Sequence, residues 1–396
     1  MEQTTAKKNK YEIDMCNGTI MDKLISFSLP LMLSGILQLM FNAVDIIVVG
    51  RFSGSQALAA VGSTSALINV FTNLFIGISL GANVLTARFY AAGREKEVSE
   101  TVHTAITLAL VSGIVMALVG LVFSKGALAL MGTPDDVIGL SALYMRIYFL
   151  GMPFFMLYNY GAAILRAVGD TKRPLLFLMI AGVINACLNM VLVIVFKLGV
   201  AGVAIATVIS QMISCVLVLR CLCRSESSYR LRFSELGMKG YYLKQIFSVG
   251  VPAGIQSTVI NFSNVLLQSS VNSFGSTAMA GYTAANNLLG FLYVSVNSIT
   301  QACMSFTSQN YGVGKLKRMD RVLADCMILS VVVAVVLGCI CYGFGPEILQ
   351  IYTEDAEVIA CGMEILAYTT ITYFLCGWMD LFPGALRGMG YSAVPM

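Results

Sequence analysis

Charge is what this sequence has least of. Asp, Glu, Lys and Arg together make up only 12% of its 396 residues. A soluble domain of that length needs more polar surface than this supplies. Histidine occurs once, and no two of the eleven cysteines stand in a CxxC pair. Both shortages argue against a zinc or haem centre. The cysteines fall mostly in apolar runs and read as small buried hydrophobes. Only Cys221 and Cys223, just past a helix end, offer themselves for acylation. No basic stretch carries interleaved aromatics or the pattern of a nucleic-acid-binding module, so no nucleic-acid partner is expected. No constellation of nucleophile, base and metal ligand argues for an enzyme. The first twenty residues are polar, with Lys7, Lys8 and Lys10, and lack the short apolar core of a cleavable signal peptide. The first apolar span is therefore expected to act as the targeting signal.

What is present is hydrophobic length. The chain is 57% hydrophobic, with a mean hydropathy of +0.80. Ten runs, at 24–50, 57–87, 98–123, 137–165, 174–196, 199–220, 243–272, 276–308, 322–344 and 357–386, are each near or above the roughly 20 residues that cross a bilayer as helix. Continuous runs, rather than short alternating segments, argue for helices over a barrel. The expected fold is all-α and integral to the membrane, with about ten transmembrane helices.

Basic residues orient these spans. With the N-terminus in the cytoplasm, the outside loops hold only Arg51, Lys125 and Lys197, Arg146 falls within a span, and the other 21 of 25 Lys and Arg lie inside. That asymmetry satisfies the positive-inside rule. It predicts a multi-pass protein of the cell's inner (plasma) membrane with a cytoplasmic N-terminus.

A long internal period runs through the chain. Arg166-Ala-Val-Gly169 followed by Pro174 returns about 221 residues later as Arg387-Gly-Met-Gly390 followed by Pro395. Pro30 matches Pro252, Phe52-Ser-Gly54-Ser55 matches Phe274-Gly275-Ser276, Tyr90-Ala-Ala-Gly93 matches Tyr311-Gly-Val-Gly314, and Thr133-Pro-Asp135 matches Thr353-Glu-Asp355. Collinear matches at near-constant offset indicate a duplication. The expected organisation is a six-helix lobe over 1–220, a polar cytoplasmic linker over 221–242, and a second lobe over 243–396 with four helices. Counterparts of the first lobe's last two helices are expected to be missing, leaving faces of the second lobe unpacked. An even number of spans per repeat gives both lobes the same orientation, so the lobes can rock about a site between them. Pro30 and Pro252, each within its helix, are candidate hinges.

Polar residues inside the spans are the functional candidates, because each is costly there. Asp45 sits near the outer end of the first span, about seven ångströms deep by helical rise. Its charge is expected to follow its surroundings, as proton coupling requires. The competing reading is a structural ion pair with Arg146, at similar depth in the fourth span. Asn185 and Asn189 lie four residues apart and share a helix face. Thr207 and Gln211 do the same in the sixth span. Amides and hydroxyls in lipid turn to the bundle interior, where they either shape a polar pocket with Asp45 or bind helices together. Asn42, Tyr144, Arg146, Gln256, Asn286, Asn287 and Asp380 are candidate lining for a substrate cavity. His103 reads as a packed residue near the inner end of the third span.

These residues resemble the multidrug and toxic compound extrusion (MATE) family. The likeness rests on Asn42-Ala-Val-Asp45 before Val-Gly50-Arg51, Arg166-Ala-Val-Gly169-Asp170-Thr171, Asn185-xxx-Asn189, Gly199-Val-Ala-Gly-Val-Ala-Ile-Ala-Thr207 and Ser308-Gln309-Asn310-Tyr-Gly312-Val-Gly314-Lys315. The resemblance implies two lobes in a V, alternating access, and antiport of small organic cations against inward H⁺ or Na⁺. It places the first-lobe ion site at Asp45, Asn185, Asn189 and Thr207, and implies no cofactor beyond the coupling ion. Partners are then membrane lipid and the exported cation, and a monomer is expected. The family's frequent acid at the position of Asn189 is an amide here, and its frequent glutamate in the seventh span is missing. A hard cation prefers charged oxygens, so H⁺ is expected over Na⁺. Two alternatives remain. One is a lipid-linked saccharide flippase of related fold, which is expected to line its cavity with several cations; Arg146 is the only basic residue read as well inside a span. The other is a transport-inactive membrane fragment.

Overall fold

A computed structural model of the chain describes residues 11–272, 274–350 and 355–395. Long helices make up almost all of it: α1 (Met21–Phe52), α2 (Ser55–Ala91), α3 (Glu95–Leu130), α4 (Asp135–Leu150), α5 (Met152–Ala167), α6 (Lys172–Met190), α7 (Gly199–Cys223), α8 (Gly240–Asn272), α9 (Ser276–Gly312), α10 (Leu316–Gly343), the short α11 (Gly345–Leu349) and α12 (Ala356–Gly388). No strand occurs among the described residues. Each of the ten apolar runs is helical. Among the described residues, seven helices are long and apolar enough to cross a membrane, and the bent pair α4–α5 makes an eighth such span. The remaining two, α8 and α9, are more polar, but their 33 and 37 residues rise roughly 50 Å or more, beyond the roughly 30 Å of a hydrocarbon core. The chain is an all-helical, multi-pass membrane protein.

The fourth span departs from the sequence reading. Residues 137–165 do not form one helix; α4 and α5 meet at Gly151 with a bend of 47°. Pro153 has no N–H to return to the preceding turn. The N–H groups of Phe154 and Phe155 both donate to the Gly151 carbonyl, at 3.1 Å. Gly151 also lets α4–α5 close on α7, since a Cβ there would crowd Val208 and Gln211. By contrast α1 and α8 run unbroken through Pro30 and Pro252.

The duplication is visible in the backbone. Gly54 and Gly275, Gly93 and Gly314, and Gly169 and Gly390 all have positive φ, between 68° and 98°, and stand about 221 residues apart in each pair. The matched Thr353 and Glu354, and Lys7, Lys8 and Lys10, lie outside the described residues. The first helices of the two halves pack crosswise: α1 runs along α9 and α6, while α8 runs along α2 and touches α9 little. Gly77 on α2 meets the Gly254 backbone on α8 so closely that a Cβ has no room.

One end of the bundle is stitched together. It carries the N-terminal segment, the α2–α3, α5–α6 and α9–α10 turns and the segment 224–239, and hence most of the basic residues. Hydrogen bonds between residues before 224 and residues after 240 gather in this basic end and in the adjoining half of the helices above it. Ser305 donates to Asn83 Oδ1 at 3.2 Å, Ser308 to the Val84 carbonyl at 2.6 Å and Gln309 to the Ala167 carbonyl at 2.7 Å. Arg88 reaches the Met389 carbonyl at 2.8 Å and lies 4.9 Å over the Tyr311 ring.

The segment expected as a polar linker is docked rather than free. Helix α7 extends to Cys223 and α8 begins at Gly240, so only 224–239 connects them. Tyr229 and Leu231 are buried, and Lys239 pairs with Glu100. His103 is buried and holds this segment: its Nε2 accepts the Arg232 backbone N–H at 3.0 Å while Nδ1 lies 2.6 Å from the Ser99 carbonyl. Those partners assign the proton to Nδ1. His103 is a packing residue, as read from the sequence.

Candidate functional site

The cluster is assembled from three helices. Helix α1 continues to Phe52, capped when the Ser53 N–H donates to the Val49 carbonyl at 2.9 Å. Asp45 therefore lies about 10 Å below the helix end rather than seven, by helical rise. Helix α6 brings Asn185 and Asn189, both buried, against it. Helix α7 contributes Thr207. The Asn189 amide donates to Asp45 Oδ1 and to Asn185 Oδ1 at 3.2 Å. The Asn185 amide in turn reaches the Thr207 hydroxyl at 3.5 Å, whose proton goes to the Val203 carbonyl at 3.0 Å. All four predicted residues are thus one connected network.

Immediately beyond Asn189 the helix loosens. Residues Val191–Val195 form a π turn, with the Phe196 N–H on the Val191 carbonyl at 3.1 Å. Such turns often accompany functional sites. Here the turn ends α6 one residue after the site. The chain then reverses through Lys197 and Gly199, both at positive φ, and returns as α7 with Thr207 facing Asn185.

Two properties define what the network can do. First, the partners of Asp45 are neutral. No ion pair to Asp45 exists among the described residues; Arg146 is exposed on α4 and makes none. The structural pairing of Asp45 with Arg146 is excluded by that placement. Arg146→Ala is accordingly expected to leave the pH dependence of transport unchanged, as measured by uptake into vesicles between pH 6 and 8. Second, Asn189 Oδ1 is buried and has no partner. An unpaired buried acceptor costs about 1–3 kcal/mol, so the network is short of one hydrogen-bond donor or one cation.

Tyr144 and Tyr148 face the carboxyl from α4, with ring centroids 6.1 Å apart. Asn42 is one turn below Asp45 on α1 but is exposed. Asn286 and Asn287 are likewise exposed on α9, apart from the network.

Gln256 and Asp380 belong to a different cluster, in the second half. Arg387 donates to Gln256 Oε1, and Asp380 and Tyr293 are its charge partners. Sequence reading noticed Arg387 only as a repeat marker. Its spacing of seven from Asp380 puts both on one face of α12, a signal that was available. The counterpart Arg166 faces Tyr158 on α5. Arg88, Arg166 and Arg387 are half-buried at the basic ends of α2, α5 and α12, whereas Arg146 lies deeper in its span. Among the described residues no group of three His, Cys, Asp or Glu is placed to hold a metal.

Comparison with known proteins bears on this geometry. The MatE family model matches residues 30–191 and again 252–396. The chain belongs to the MatE family. The two matched segments are the two repeats, each beginning at or beside its helix proline. The chain is 33% identical over 373 residues to the probable multidrug resistance protein YoeA of Bacillus subtilis, covering 92% of this chain and 80% of that protein. It is 23% identical over 371 residues to the multidrug export protein MepA of Staphylococcus aureus, covering 93% and 81%. Among solved structures, a multidrug resistance MATE family transporter of the MOP superfamily in an outward-facing conformation superposes with a TM-score of 0.92 at 20% identity, over 98% of this chain and 87% of that one. A MOP superfamily transporter from Pyrococcus furiosus, described as having a binding pocket of reversed polarity, superposes at 0.91 with 19% identity. These likenesses show the fold. The MatE chain is a membrane transporter and not an enzyme.

Proposed function

We propose that the chain exports organic cations across the inner (plasma) membrane in exchange for H⁺, by alternating access of its two halves, with the basic end in the cytoplasm. The single observation that carries the reading is the Asp45 network: one carboxyl, held by neutral amide and hydroxyl groups, beside a buried acceptor that lacks a donor. A proton on Asp45 supplies that donor and removes the charge from the span. Loss of the proton leaves a carboxylate steadied by the Asn189 amide. Na⁺ is less well served, because one carboxylate, the free Asn189 oxygen and two already engaged oxygens supply only one charged group to a hard cation. The names of the relatives, multidrug resistance and export proteins, support the cargo class. The stitched basic end supports an outward-open state.

The stoichiometry follows from the single carboxyl. One H⁺ inward for one monovalent cation outward moves no net charge, so the membrane potential does not drive the exchange. The pH difference alone contributes about 1.36 kcal/mol per unit, a limiting gradient of about tenfold. In inverted vesicles a fluorescent lipophilic cation is expected to accumulate with an imposed pH difference and to ignore an imposed Na⁺ gradient. Accumulation driven by Na⁺ at equal pH overturns the assignment of the ion.

A further inference from the structure

The N-terminal segment before α1 does something that neither the coupling site nor the family resemblance accounts for. Residues 11–17 cross the seam between the two halves at the basic end. On one side the segment is bound to the first half. The Tyr90 hydroxyl donates to Glu12 Oε2 and the Tyr229 hydroxyl to Glu12 Oε1, each at 2.7 Å. The Ile13 N–H donates to the Gly169 carbonyl at 3.3 Å. Gly169 is fixed as glycine by its φ of +97° and by the Ile13 backbone lying where a Cβ would be. The Arg173 guanidinium stands 5.4 Å over the Tyr11 ring.

Two residues further on, the same segment is bound to the second half. Asn310 donates to the Met15 carbonyl at 3.1 Å. Lys315 donates to the Cys16 carbonyl at 2.9 Å and to Asn17 Oδ1 at 2.8 Å. Arg318 reaches the carbonyls of Met15 and Asn17 at 3.3 and 3.0 Å. The Met15 side chain is 0% exposed, packed with Phe27 of α1, Phe306 of α9 and Val322 of α10.

We propose that residues 11–17 are a latch across the cytoplasmic seam, anchored on the second half at Met15–Asn17 and released from the first half at Glu12. The inference rests on the alternating-access reading and adds a part to it. Any opening of the basic end must separate α2 and the 224–239 segment from the α9–α10 turn. The strap cannot stretch, because its two anchorages are only a few residues apart and an extended chain gains no more than about 3.5 Å per residue. One anchorage has to yield. The second-half side holds five hydrogen bonds, from Asn310, Lys315 and Arg318, and a fully buried methionine, and it continues into α1, which packs on α9. The first-half side holds three hydrogen bonds and a ring contact. Both anchorages border a cleft lined by Glu12, Asp14, Asn17, Tyr90, Arg94 and Lys315, through which water reaches the Glu12 carboxylate as it leaves its tyrosines. Release at Glu12 is the less costly break.

The test uses the full chain in proteoliposomes, on a background with the native cysteines replaced. Spin labels at Lys96→Cys and Lys317→Cys, both exposed and one in each half, report the width of the basic end by electron–electron double resonance. A second pair, Lys125→Cys and Glu347→Cys, reports the other end. Glu12→Ala removes two hydrogen bonds to a charged acceptor, and a loss of that size raises the open-to-closed ratio at the basic end by about tenfold or more. The double variant Tyr90→Phe with Tyr229→Phe removes the same bonds from the opposite partner. It is expected to give the same shift, which guards against misfolding of either variant alone. Unchanged basic-end distances in both variants, while the other pair still shows two distances, overturn the latch and leave alternating access standing. Fixed distances at both ends, in every variant and with a lipophilic cation added, overturn both.

Discussion

Asp45→Asn is expected to abolish gradient-driven export while leaving the protein folded and in the membrane. The substitution keeps the shape of the side chain and its place beside Asn189, and it removes the only titratable group in that network. Without a group that gains and loses H⁺, no pH difference can be converted into movement of a cation. Accumulation in energised vesicles is therefore expected to fall to the level of empty vesicles, a complete loss rather than a partial one. Drug binding measured without a gradient is expected to survive, because the network does not need its charge to hold its shape. Drug resistance of cells carrying Asp45→Asn at the level of the unmodified protein would refute the coupling role.

Gly77→Ala is expected to lower the midpoint of thermal unfolding in detergent by several degrees and to reduce export with it. Two effects compete. Helix propensity favours Ala over Gly by up to about 1 kcal/mol. Against it, the new methyl would meet the Gly254 main chain on α8, which has no rotamer to give way. Overpacking of this kind costs typically about 1–3 kcal/mol, so the clash decides the sign. Gly290→Ala supplies the internal comparison: a Cβ there has open space around it, and that variant is expected to be neutral or slightly more stable. Equal melting behaviour in the two variants would show that α2 and α8 do not depend on this close approach. The consequence for transport follows from which helices these are. Gly77 belongs to the first half and Gly254 to the second, so forcing them apart alters a contact between the two halves.

The helices were legible because burial in lipid leaves little choice. A run of about 20 apolar residues has to satisfy its own backbone hydrogen bonds, and each of the ten runs does so as helix. The coupling network was legible for a related reason. Asp45, Asn185, Asn189 and Thr207 are expensive in a span unless they find one another, and spacings of four place each helix's polar groups on a shared face. The same logic misplaced Arg146. Its depth in the span made it a candidate partner for Asp45, but its side chain is exposed on α4. Polarity in a span marks a residue as unusual without saying which surface it faces.

The sequence by itself determined the class of the protein, its repeat, its basic end and the four residues that have to meet. Those follow from local rules: hydropathy, charge bias and helical spacing. Only the tertiary structure decided that Asp45 has no cationic partner, that Arg387 is held by Gln256 and faces Asp380, and that Glu12 is gripped by Tyr90 and Tyr229. Tyr229 lies over 200 positions from Glu12 in the chain, and no periodicity links them. The angles between helices set such encounters, and packing at glycines and prolines sets those angles.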